Sequence, residues 1–80
     1  MEPEILQTLN SIEKIVIETI KSRNRIIQNT QNINETIILL KEKYPDYISD
    51  IDNKFQTICN NHNFSPINIL QTYITESSNQ

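Results

Sequence analysis

Along the first half of the chain, apolar residues return at alternating steps of four and three. Ile5, Ile12, Thr19, Ile26, Ile33 and Leu40 form one line, and Leu9, Val16, Arg23, Thr30, Ile37 and Tyr44 form the other. This spacing puts all twelve on one stripe of a helix, and its persistence over more than five heptads reads as a coiled coil. Glu2-Pro3-Glu4 starts it, because proline suits the first helical turn and acids favour the positive end of the helix dipole. The pattern therefore predicts one long helix over residues 1–44, about 60 Å long at about 1.5 Å per residue. A competing break lies at residues 30–32, where Asn32 and Glu35 have capping-box spacing. The unbroken phase of Ile26, Thr30, Ile33 and Ile37 favours continuity.

Pro45 ends the run, since proline disfavours helical torsions at Tyr44 and removes a backbone donor. A second helix is expected over residues 46–61, with Ile48, Ile51, Phe55 and Ile58 on one face. The polar cluster Asn60-Asn61-His62-Asn63 closes it. Ser65-Pro66 then opens a third helix carrying Ile67, Leu70 and Ile74. Residues 45–76 read as a cap of two short helices, and residues 77–80 as a frayed tail. Tyr44, Tyr47, Phe55, Phe64 and Tyr73 are expected to pin the short helices together and against the end of the long one.

The expected fold is thus all-α: a long amphipathic, coiled-coil helix followed by two short helices in a hairpin or bundle, oligomeric in solution. Two short helices cannot cover a stripe that long. Leaving isoleucines in water forfeits about 1.5 to 3 kcal/mol each. A partner chain, as homo-oligomer or hetero-complex subunit, is the expected remedy, with Ile5, Leu9, Ile12, Val16, Ile26, Ile33, Ile37 and Leu40 as the interface. Thr19, Arg23 and Thr30 put polar groups into the middle heptads, where such residues set register or leave the middle solvated.

Composition narrows the function. Eighty residues make at most one domain, marginally stable alone. The single cysteine, Cys59, excludes an internal disulfide, and with no secretory signal recognised the expected compartment is a reducing, cytoplasmic one. The longest apolar run, Ile37 to Leu40, is far too short to span a bilayer. Sixteen isoleucines and eleven asparagines, beside no glycine, alanine or tryptophan, point to AT-rich coding of the kind found in some viruses, protists and low-GC bacteria. A viral chain would work inside the host cell.

No catalytic, cofactor or metal site is expected. Without glycine, a phosphate-cradling loop cannot be built. Cys59 and His62 lack the second ligand pair that zinc spacing requires and the third group that a nucleophile–base pair needs. Asp46, Asp50 and Asp52 are the acids expected near the start of a helix. Lys21, Arg23 and Arg25 form the one basic cluster, a candidate contact for anions or an acidic partner, although no aromatic residues interleave with it. The expected function is a non-enzymatic interaction module, coiled-coil oligomer or scaffold. The alternative is a small accessory factor of nucleic-acid machinery. Residues 55–73, Phe-Gln-Thr-Ile-Cys through Asn-Phe-Ser-Pro to Leu-Gln-Thr-Tyr, resemble the C-terminal hairpin of small coiled-coil accessory subunits of recombination strand exchange. That family's glycines are missing here, and the likeness assigns no residue a role.

Overall fold

The computed structural model describes residues 1–78, with side chains for residues 1–72. Its elements are α1 (Pro3–Ser22), α2 (Ile26–Lys43), a 3-10 turn (Pro45–Tyr47), α3 (Ile48–Asn61) and α4 (Pro66–Ser78). Every described element is helical. The body measures 43 × 24 × 17 Å, so no 60-Å rod exists. The expected single helix over residues 1–44 is two helices, folded back on each other at Arg23-Asn24-Arg25.

The apolar stripe is interior along α1 and over much of α2, and within this chain the two helices cover each other. Ile5, Leu9, Ile12 and Val16 of α1 meet Ile33, Ile37 and Leu40 of α2 in the core. At 20 and 18 residues the two helices match in length, so each shields the other. A tethered helix meets its neighbour at the modest cost of closing a short loop, whereas a second chain must give up translational freedom. Within one chain, the seven interior residues of the expected interface are covered by these two helices. Coverage is incomplete: Leu6, Ile15, Ile17 and Ile20 on α1 stay exposed, as do Ile26, Ile38 and Leu39 on α2.

The break falls where the stripe is weakest. Arg23 would be a charge on the core face of a continuous helix, and in the turn it is exposed along with Asn24 and Arg25. Arg23 ends α1 in the left-handed region (φ 54°), its N–H donating to the Thr19 carbonyl at 3.0 Å. Arg25 is also left-handed (φ 54°) and precedes α2 with no side-chain cap. Left-handed torsions cost a side chain with a Cβ roughly 1 to 2 kcal/mol per residue. The Asn24 N–H donates to Ser22 Oγ at 3.3 Å. The competing break at residues 30–32 does not occur: Asn32 lies inside α2, accepting from the Thr36 hydroxyl at 2.8 Å.

Beside the turn the interior is polar but satisfied. Thr19 and Thr30 are buried. The Asn29 amide donates to Thr19 Oγ1 at 2.9 Å, joining α2 to α1, and the Thr30 hydroxyl donates to the Ile26 carbonyl at 2.6 Å. Leaving either threonine unpaired there would cost about 1 to 3 kcal/mol. Thr19 and Thr30 are therefore closed into the interior, while Arg23 stands exposed in the turn.

At the other end of α2, Pro45 forces the expected turn, and α3 starts at Ile48 rather than at Asp46. α3 returns against both α1 and α2, burying Ile51 and Cys59. It ends in a Schellman motif: Asn63 is left-handed (φ 51°), and the Phe64 N–H donates to the Cys59 carbonyl at 2.9 Å. Asparagine tolerates those torsions better than most residues, which makes this cluster a working stop. Phe64 is buried, while Tyr44, Tyr47 and Phe55 pack partly buried on the same core. The Tyr73 side chain lies outside the described part. Among the described residues α4 packs on α2 alone. It extends through Ser78, two residues into the stretch expected to be a tail, and Asn79 and Gln80 lie outside the described residues.

Candidate functional site

Of the eight residues expected to form an oligomer interface, Ile5, Leu9, Ile12, Val16, Ile33, Ile37 and Leu40 are in the interior of one chain, each at most 5% exposed. They are unavailable to a partner while the hairpin is closed. Ile26, at 36%, is the only one of the eight still open to solvent. Lys21, Arg23 and Arg25 are all exposed and come together around the α1–α2 turn. No acid occurs between Glu18 and Glu35, so this end carries three of the seven cations of a chain whose net charge is −3.

The opposite end is tied by charge. Glu4 accepts from Lys43 at 2.8 Å and from the Tyr44 hydroxyl, linking the first turn of α1 to the last of α2. Those bonds hold the Glu4 carboxyl below its ordinary pKa and raise both Lys43 and Tyr44. Glu13 meets His62 at 3.2 Å, joining the middle of α1 to the end of α3, and Lys41 pairs with Asp52 between α2 and α3.

A cleft of about 430 Å³ lies between α2, α3 and the start of α4. Ile37, Phe55, Cys59 and Phe64 give it an apolar floor, while Asn34, Gln56 and Asn60 supply amides around it. Ile38 from α2 and Ile67 from α4 also line it, at 54% and 69% exposed. The sequence reading missed this site. The signal was present in the four-residue apolar run at Ile37, where Ile38 and Leu39 lie off the heptad lines and have no reason from the stripe to be apolar.

For chemistry the cleft offers little. Burial raises the pKa of the Cys59 thiol, the opposite of what a reactive cysteine needs. His62, expected to be an exposed helix-end residue, is partly covered and engaged by Glu13. Among the described residues, no three His, Cys, Asp or Glu side chains are grouped to hold a metal ion, and no helix is long and apolar enough to cross a membrane. Set beside known proteins, the chain matches no family model, no curated protein and no solved structure.

Proposed function

We propose that this chain is a non-enzymatic protein–protein interaction module, an adaptor or scaffold subunit whose working surface is the cleft between α2, α3 and α4. One observation supports the reading most: Ile38 and Ile67 stand more than half exposed on the two sides of a recess whose floor is already apolar. A single exposed isoleucine is ordinary, but two beside an apolar recess fit a surface that another chain covers. The occupant that suits it is an amphipathic helix of a partner protein. Two or three apolar side chains at helical spacing would enter the recess while Asn34, Gln56 and Asn60 bond the rim. The protonated, buried thiol and the engaged histidine favour binding over catalysis.

Site-specific photocrosslinking in cells that make the full chain tests this. A crosslinker at position 38 or 67 is expected to capture the same polypeptide, and one at exposed Gln7 or Lys14 on α1 is not. Ile67→Glu should abolish capture from position 38. Failure to trap any polypeptide at either cleft position overturns the reading. Recovery of nucleic acid instead would shift weight to Lys21, Arg23 and Arg25 as phosphate contacts.

A further inference from the structure

The turn between α1 and α2 is badly suited to being a turn. It has no glycine, and its left-handed positions fall on Arg23 and Arg25 rather than on Asn24. α2 begins with no side-chain cap and no acid in its first turn, and a guanidinium stands at the positive end of its dipole. The apolar phase nevertheless runs straight through. Thr19, Arg23, Ile26 and Thr30 keep the four–three–four spacing, so making residues 23–25 helical brings the core faces of α1 and α2 onto one line. A hairpin has no need of that, because its turn can rotate one helix to any phase.

We propose that residues 23–25 are an exchange hinge through which two copies of this chain swap α1. The hinge becomes helical, α1 of each copy lies on α2 and α3 of the other, and the hairpin core is built twice in one dimer. Every tie from α1 is kept, now between chains: Glu4 with Lys43 and Tyr44, Glu13 with His62, Thr19 with Asn29. Only the hinge differs. Its left-handed arginines relax, and the unpaired backbone groups at the end of α1 and the start of α2 bond each other along the helix. Arg23 opposes the exchange. Thr19 is bonded to Asn29 in the hairpin, so in the dimer Arg23 would sit near the two-fold axis, close to its counterpart, and that repulsion weakens with salt. The inference rests on the interaction role proposed above and names a second copy as one partner. It can fail separately, because a chain that never dimerises can still present its cleft to another protein.

The test is the solution mass of the full chain by light scattering, from micromolar to millimolar concentration, with two turn variants. Gly at position 25 alone (R25G) suits the turn and weakens the opened helix while keeping Arg23 in place, so the dimer dissociation constant should rise about tenfold over wild type. The triple variant R23A/N24A/R25A favours the helix and removes the repulsion, and it should dimerise more tightly than wild type by a similar factor. Zero-length amine–carboxyl crosslinking then shows the topology. In the dimer, Glu4 should join Lys43 of the other copy while Lys41 joins Asp52 of its own chain. A triple variant that stays monomeric, a glycine variant that dimerises as readily as wild type, or a dimer whose Glu4–Lys43 link lies within one chain overturns the proposal.

Discussion

The two ends of the α1–α2 hairpin hold the helices together by different physics. At the Glu4 end no covalent bond joins them, and a carboxylate shared by Lys43 and Tyr44 lies beside the buried Ile5 and Leu40. At the Arg23 end the backbone makes the connection, through a strained and uncapped turn beside an interior of threonine. Where chemistry between side chains does the holding, the local sequence is well adapted. Where the chain is merely continuous, the local sequence is poor and tertiary packing compensates. α2 is the central element of the body, touching α1, α3 and α4.

Substitutions can break this comparison one end at a time. The largest effect belongs to the common core. Ile51, fully buried where α3 closes on the hairpin, should cost about 2 to 5 kcal/mol as Ile51→Ala, read as a drop in the urea midpoint at unchanged slope. That is a large share of the roughly 4 to 12 kcal/mol expected for a domain of this length. Next is the polar layer at the turn. Thr19→Val removes the acceptor of the Asn29 amide and should cost about 1 to 2 kcal/mol, whereas the double change Thr19→Val with Asn29→Leu should recover part of it.

The smallest effect is at the Glu4 end, and its sign follows from the pKa shifts. A depressed carboxyl contributes stability above its ordinary value of 4.5 and loses it as pH falls through the lower folded value. A raised tyrosine contributes below its ordinary 10.0 and loses the contribution as pH climbs through its higher folded value; Lys43 behaves likewise around 10.5. The tie is therefore complete across the neutral range and fails at both extremes. NMR titration of the Glu4 carboxyl should give a midpoint below 4.5, returning toward it in Lys43→Met. A midpoint at or above 4.5 in the wild type would remove the tie from the account.

Much of the core was legible from the spacing of isoleucines alone. The heptad lines named Ile5, Leu9, Ile12, Val16, Ile33, Ile37 and Leu40, all interior. Pro45 and the asparagine cluster before Phe64 marked two of the three connections through local torsional preference. The first connection left no such mark, because two arginines in left-handed torsions are not a turn signal. What decides it is a non-local comparison between a partner chain and the chain's own α2, and periodicity has the same form in both cases. The cleft was hidden for a related reason: it is assembled from three helices, and the off-phase Ile38 and Leu39 were the signal that α2 has apolar residues outside the stripe.

Whether the stripe closes on itself within one chain is best measured as a distance. Spin labels at exposed positions 7 and 42, in a Cys59→Ala background, diluted with unlabelled protein and held at a total concentration where light scattering gives a monomer, report the separation of the far ends of α1 and α2 within a single copy. A closed hairpin places those sites about 10 to 25 Å apart, since packed helices lie about 8 to 10 Å axis to axis. A dominant separation of about 50 Å in the dilute chain, the span of 35 residues of unbroken helix, would contradict the account.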